Sequence, residues 1–403
     1  MVGILGTGLI SSLGFTTEEN FQAVKRGVSG IKYYEAEVFD LPEPFMASLI
    51  DKERLKAEFA KRSSKNNYTD LEKASILSVL SANKEAKIDL ASEKTIFIVS
   101  TTKGNIRYLD MRQLDMRYET QKEYTSHISK SQIYLWRTAE LIAQFFGNPN
   151  TPMVISNACI SGAAAQIAAK RELQSGNYDY AVIVGADFLS KFIISGFQSF
   201  KALSPELCRP FDKNRCGLNL GEAAAAMIMS NEQLIMNNKG WLVAGAVRND
   251  ACHISAPSRT GEGSYRALTN ILQNTSILNS QIAFVNAHGT ATPYNDAMEM
   301  NAIVRAGLQH IPVNSLKSYF GHTLGAAGIV ETIISLRALS EGLILKTLGF
   351  EENEQLTMNN EQFALPVCSE NTKTNKKCFI KMMSGFGGVN AVLFYCHEYT
   401  NLH

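Results

Sequence analysis

The chain has 403 residues, 45% of them hydrophobic and 19% charged, enough apolar material for a large core in two domains or two fused halves. Lys plus Arg number 39 against 38 Asp plus Glu, so no overall field argues for nucleic acid or an anionic membrane as a partner. The 7 cysteines (Cys159, Cys208, Cys216, Cys252, Cys368, Cys378 and Cys396) are odd in number and contain no CxxC pair, which argues against a disulfide framework and a zinc knuckle and for a reducing compartment.

Residues 2–10 read as a first strand; they lack the basic start and cleavage pattern of a signal peptide. No run approaches a membrane span, and a cytoplasmic protein is expected. Gly6-Thr7-Gly8 lacks the third glycine of a dinucleotide loop, and a tight strand exit is the better reading. Residues 17–70 mix short amphipathic stretches with Pro42 and Pro44, and carry a basic cluster at Lys61, Arg62 and Lys65 that reads first as a solvated face. A helix is expected over 71–86 and a buried strand over 95–100. Residues 105–121 are unusually charged, with Arg107, Asp110, Arg112, Asp115 and Arg117 spaced as on an exposed or interfacial helix. An amphipathic helix over 135–146 stops at Gly147 and Pro149.

The next stretch organises the chain. Val154-Ile-Ser-Asn-Ala-Cys159-Ile-Ser-Gly-Ala-Ala-Ala is an apolar strand that meets a Cys and becomes a small-residue helix. The junction sets the sulfur at a helix N-terminus, where free N–H groups and the dipole favour an anion. A thiol with an ordinary pKa near ~8.5 is expected to drop by somewhat under one unit there. A lone Cys in an apolar stretch is more often a packing residue, so Cys159 becomes a nucleophile only with further support. Residues 180–186 form another fully apolar strand, so strands and helices alternate with both sheet faces covered. Arg209-Pro-Phe-Asp212-Lys-Asn-Arg215 through Gly221-Glu222 reads as a structural turn with Asp212 and Arg215 paired. Residues 230–240 read as a linker, dividing the chain into halves at 1–232 and 233–403.

The halves resemble each other. Cys159-Ile-Ser-Gly162-Ala-Ala is echoed by His322-Thr-Leu-Gly325-Ala-Ala, and the 95–102 strand by the run 282–290. Residues 241–247 would mirror the first strand. A pseudo-twofold arrangement would set Cys159 and His322 at helix N-termini facing the middle of the molecule, with His288 at a neighbouring strand end. Two histidines in glycine-flanked turns, matched by symmetry to a Cys, point to nucleophilic catalysis.

With these motifs the chain resembles the β-ketoacyl-acyl-carrier-protein synthases of the thiolase-like superfamily, in their elongating Cys-His-His class. Asn157-Ala-Cys159-Ile-Ser-Gly162 resembles the nucleophile segment, His288-Gly-Thr290-Ala-Thr292-Pro-Tyr-Asn295-Asp296 the first histidine motif, and Lys317-Ser-Tyr-Phe-Gly321-His322 the second. Ser384-Gly-Phe386-Gly-Gly388-Val-Asn390 is similar to the C-terminal glycine-rich turn, and Arg209 to Glu222 to the structural loop. Cys216, the run 223–226 and Val389 depart from the usual pattern without removing a reactive group.

The resemblance implies an α/β fold whose two pseudo-symmetric halves form a five-layered α-β-α-β-α core. It implies decarboxylative condensation of an acyl-Cys159 enzyme with malonyl on an acyl carrier protein, in fatty acid or in polyene or polyketide synthesis, with no cofactor and no metal. By the same resemblance the N–H groups of Cys159 and Phe386 form an oxyanion hole, His288 and His322 stabilise an enolate, and Lys317 pairs with Glu331. Thr290 and Thr292 would bind the phosphopantetheine arm, and Phe386 would act as a gate. Lys61, Arg62, Lys65, Arg209 and Lys213 are candidates for docking the acidic carrier. A homodimer is expected, with 180–186 as the pairing edge; a heterodimer with a ketosynthase-like subunit is the other arrangement. The alternative function is a non-catalytic chain-length factor, but such subunits lack the nucleophile. A thiolase would need a second Cys near Phe386, an initiating synthase an Asn in place of His322, and a cysteine hydrolase an Asp or Asn to orient its base.

Overall fold

The protein is described by a computed structural model covering residues 1–65, 67–109, 128–231, 238–275, 278–353, 356–358 and 361–398. Its apolar runs become strands because a mixed sheet covered on both faces needs no polar alternation. In the first half these are β1 (Val2–Ser11), β2 (Thr95–Ser100), β3 (Met153–Ile155), β4 (Tyr180–Asp187) and β5 (Ala223–Asn231). The second half repeats the set with β6 (Trp241–Asn249), β7 (Ile282–Asn286), β8 (Val313–Asn314), β9 (Cys378–Gly385) and β10 (Val389–Cys396).

Read outward from the middle, the strand order is β1-β5-β4-β2-β3 on one side and β6-β10-β9-β7-β8 on the other. Both are the first, fifth, fourth, second and third strands of their half. The directions match too: two antiparallel pairings near the middle, then two parallel ones towards the edge. The expected duplication is therefore present in the hydrogen bonding. A short antiparallel seam, Val2 with Leu242 and Gly3 with Trp241, joins the two sheets.

Helix α1 (Lys52–Ala60) packs on α2 (Asp70–Ala86), which covers the outer face of the first sheet; a capping box between Thr69 and Glu72 starts α2. Helix α3 (Leu135–Phe145) joins that outer layer. Helices α4 (Ser161–Gln174) and α9 (Ala327–Ser340) lie between the sheets, each touching strands of both halves. Helix α5 (Lys191–Ser199) follows β4, and α6 (Glu262–Gln273), with α7 (Pro293–Arg305) against it, covers the second sheet from outside. That makes the five layers. In the middle layer the backbones nearly touch: a Cβ on Gly162 would lie 2.8 Å from Gly325 O, and one on Gly328 2.6 Å from Ala163 N. The small residues after Cys159 and after His322 thus permit the close approach of α4 and α9.

Three expectations change. Gly6 and Gly8 lie inside β1, where a Cβ would sit 2.1 Å from Ala82 O and 2.0 Å from Ser78 O, so they admit α2 rather than end the strand. Strand β4 is hydrogen-bonded on both sides and offers no edge for a partner; among the described residues the edges of the ten-stranded order are β3 and β8. Cys378 and Cys396 face each other at one end of the β9–β10 pair and form a disulfide, a proximity that 18 residues of separation conceal. The division at 232/233 and the charges Asp110, Arg112, Asp115 and Arg117 lie outside the described residues.

Candidate active site

Strand β3 ends in a tight elbow. Ala158 takes a left-handed φ of 46°, a conformation that costs an L-residue energy and is held by its surroundings. Ser161 holds it: its hydroxyl accepts from Asn157 N–H at 2.8 Å and donates to Ala158 O at 2.6 Å. Cys159 is thereby set just before α4, as its place in the sequence implies. Its thiol, however, is not acidified. Burial pushes it up to about 11, outweighing the Lys317 charge and the Phe386 N–H that favour the thiolate, because desolvating an anion costs more than one dipole returns.

The second half delivers the partner. His322 Nε2 lies 3.0 Å from Cys159 Sγ. His322 is placed five residues before α9, with a 3-10 turn (Leu324–Ala326) between, so it stands farther from its helix than Cys159 does. Gly321, at φ 68°, lets this turn pass against Gly221, and His322 N–H donates to Asn219 O at 2.7 Å. The Arg209–Glu222 loop of one half thus holds the histidine of the other. His288 follows β7, and its ring centre lies 5.0 Å from that of His322. Burial, then the Lys317 charge, lower both imidazoles well below the usual 6.5, so both are neutral near pH 7. Lys317 Nζ sits 3.3 Å from His288 Nδ1. An ammonium only donates, so Nδ1 accepts and the ring hydrogen is on Nε2. The sulfur and one nitrogen of each ring lie within 4.8 Å of one another. Three such atoms are also metal-ligand types, but the Lys317 ammonium beside them disfavours a cation. All three side chains line one cavity of about 460 Å³, with Thr290, Thr292 and Phe386.

Residues 1–234 match the family described as "Beta-ketoacyl synthase, N-terminal domain", and residues 240–351 its C-terminal domain. The chain belongs to the β-ketoacyl synthase family. It is 27% identical over 416 residues to 3-oxoacyl-[acyl-carrier-protein] synthase 2 of Vibrio harveyi, an alignment covering 98% of each chain. A second relative, the putative mitochondrial 3-oxoacyl-[acyl-carrier-protein] synthase of Schizosaccharomyces pombe, is 28% identical over 283 residues, 66% of each chain. Among solved structures, a β-ketoacyl synthase from Burkholderia phymatum superposes with a TM-score of 0.87 at 23% identity, covering 99% of both chains. A ketosynthase in complex with its chain length factor from Xenorhabdus doucetiae gives 0.85 at 23% identity, covering 98% of this chain and 97% of that one. The thiolase-like fold expected from the motifs is the fold found.

Around this β-ketoacyl synthase centre the structure places the remaining residues. Lys317 and Glu331 form a buried pair. Glu331 holds a second buried cation, Lys381 of β9, which the motif reading missed; its signal was a lone charge in the apolar run Cys378-Phe-Ile-Lys381-Met-Met. Glu299 was missed too. On α7, it accepts from His288 N–H and Gly289 N–H, both at 2.7 Å, and burial raises its pKa to about 7. Asp296 accepts from Thr290 and Ala291 N–H at 3.0 and 3.1 Å. Arg215, expected to pair with the Asp212 carboxylate, donates to its main-chain O at 2.9 Å and lies 3.8 Å from Asp296, while that carboxylate accepts from the N–H groups of Asn214, Glu351 and Glu352.

Thr290 and Thr292 hydroxyls meet at 2.8 Å. Phe386, 40% exposed, stacks on Phe197 at 5.9 Å and meets Phe200 edge-on at 5.5 Å, between residues whose glycines give the turn its freedom. Lys61, Arg62 and Lys65 follow α1, which packs on the outer helix α2; none lines the cavity. Arg209 lies 3.5 Å from Glu206 and Lys213 pairs with Glu352, in the loop whose Cys216 and Gly217 do line it. Lys201, also lining the cavity, was not anticipated.

Proposed function

We propose that the protein is a β-ketoacyl-acyl-carrier-protein synthase that elongates an acyl chain held on Cys159. The observation that carries this is the 3.0 Å contact of Cys159 Sγ with His322 Nε2, with His288 beside it in the same cavity. With hydrogen on His322 Nε2, that N–H points at the sulfur and favours its thiolate as it attacks the carrier-bound thioester. Acyl passes to Cys159 and the thiol proton ends on the leaving pantetheine sulfur. The N–H groups of Cys159 and Phe386 face the oxyanion, the Phe386 N–H already reaching the sulfur.

Acylation frees the His322 N–H for the second step. Malonyl thioester loses carbon dioxide, and the electron pair left on its α-carbon delocalises onto the thioester oxygen, met by Nε2–H of His288 and His322. The α-carbon attacks the acyl-Cys159 carbonyl, the carbon–sulfur bond breaks, and Cys159 returns as thiolate to be reprotonated. Neutral rings suit this role because they donate without becoming acids. Lys317 and Glu331 hold the local charge, Thr290 and Thr292 receive the pantetheine arm, and Phe386 gates entry of the second substrate.

The carrier docks near the mouth, where Lys201 lines the cavity and Arg209 and Lys213 stand in the adjoining loop; Lys61, Arg62 and Lys65 are the more distant candidates. We assign a homodimer built by edge-to-edge pairing of β3, whose outer side is unpaired among the described residues; a ketosynthase-like second subunit could take the same edge. No described helix is long and apolar enough to cross a membrane, and a cytoplasmic location suits the free Cys159 thiol that loading requires. The halves 1–232 and 233–403 act as one unit, since each contributes part of the site. Intact-mass analysis after mixing with acyl carriers of graded chain length tests the reading: an acyl adduct that moves with Cys159 is expected, and no adduct with any carrier overturns it.

A further inference from the structure

Lys381 lies in the middle of β9, which pairs with β7 on one side and β10 on the other, and its side chain is fully buried. Taking an ammonium out of water costs several kcal/mol unless its donors are met. All three are: Glu331 Oε2 accepts one, Ala287 O accepts at 3.2 Å and Asn286 O at 3.4 Å. Each acceptor leads to the same ring. Asn286 and Ala287 are the two residues before His288. Glu331 uses its other oxygen to hold Lys317, whose Nζ fixes the hydrogen of His288 on Nε2.

We propose that Lys381 is a positioning residue for the malonyl half of the reaction, holding His288 both through the carbonyls that end β7 and through Glu331 and Lys317. The proposal rests on the condensing role given above. The charged and titratable groups facing Lys381 are Glu331 from α9, Lys317 from α8 (Lys317–Phe320), Glu299 from α7, and the two imidazoles. Lys317 and Lys381 flank Glu331 behind the rings, with Glu299 close by, on the side of the cavity where the enolate forms. The two ammonium groups also oppose protonation of His288 and His322. Lys381 itself is brought down to about 8 by burial, against the pull of Glu331.

The test compares Lys381→Met with the wild-type full chain in two assays: loading of Cys159 from an acyl carrier protein, read by intact mass, and condensation with malonyl carrier protein. Loading is expected to change less than about threefold, while condensation kcat falls at least roughly tenfold with KM for the malonyl carrier nearly unchanged. The acid limb of the kcat profile should also move to higher pH, because removing a nearby cation raises an imidazole pKa. Equal losses in both assays, or an unmoved acid limb, would overturn the proposal. If the variant does not fold, the wild-type profile decides: condensation, and not loading, should fall as Lys381 loses its proton near pH 8, and condensation flat to about pH 9.5 rejects the idea. A wild-type protein that neither loads acyl groups nor decarboxylates malonyl would instead remove the condensing role itself.

Discussion

Strand β3 runs into an elbow strained at Ala158 and presents a sulfur; its counterpart β8 runs into the 315–322 turn and presents the His322 imidazole together with Lys317, whose ammonium lies 3.3 Å from the neighbouring His288 ring. The two ends hold equivalent places in the same strand order. Their electrostatics differ. Asp187 lies near the first end, but neutral donors satisfy it: Thr101 Oγ1, Thr102 N–H and Gly325 N–H. Lys317, Lys381, Glu331 and Glu299 gather at the second. The duplicated unit therefore keeps its geometry and divides its chemistry. Cys159, the proposed nucleophile, sits in a dry place that keeps its thiol neutral, and the fixed charge stands behind the rings proposed to face an anion.

Breaking the sulfur end should have the largest effect. Cys159→Ala is expected to abolish the acyl adduct and condensation completely, while malonyl decarboxylation persists because the second end is intact; paired mass and carbon dioxide assays read both. The mirror experiment, His288→Ala, should leave the adduct and lower condensation by on the order of a hundredfold or more, about 3 kcal/mol of transition-state stabilisation. Loss of loading in that variant would mean the two ends do not divide the steps. Since both imidazoles are lowered well below 6.5 by burial, wild-type kcat should be flat through neutral pH, with the acid fall set by the imidazoles and the alkaline fall, near pH 8, by Lys381.

A subtler comparison concerns the turns after β2 and β7, each tied to a buried glutamate. Glu72 accepts from Asn105 Nδ2 at 3.0 Å and Gln132 Nε2 at 2.9 Å; Glu299 binds the His288 turn. Burial raises the Glu72 carboxyl from 4.5 to about 7. Its folded pKa exceeds its unfolded one, so the folded state holds the proton longer. Stability from this group is fully present below about pH 4.5 and lost as pH rises through about 7, a loss on the order of 3 kcal/mol. Glu72→Gln should remove that contribution to the slope of urea midpoints between these pH values; an unchanged slope would mean the carboxylate is already ionised at low pH. The smallest effect is expected at the mouth. Thr290→Val should raise KM for carrier-bound substrate a few-fold, roughly 1 kcal/mol, with kcat nearly unchanged.

How much of this was legible follows from the range of each interaction. The strands over 95–100 and 180–186, the helix over 71–86 and the glycines at fixed distance from Cys159 and His322 depend on neighbours within a few residues, and the chain alone determined them. The internal repeat, also local in each copy, determined that a sulfur and two imidazoles would meet. Tertiary structure alone decided what surrounds them. Only folding shows that Lys381 reaches Glu331 from 50 residues away, that Gly6 and Gly8 admit a helix instead of ending a strand, and that β4 is paired on both sides while β3 and β8 are the edges among the described residues. The same holds for the Cys159 thiol: a helix N-terminus can be read from sequence, whereas desolvation is set by everything packed around the sulfur, and here it is the larger effect.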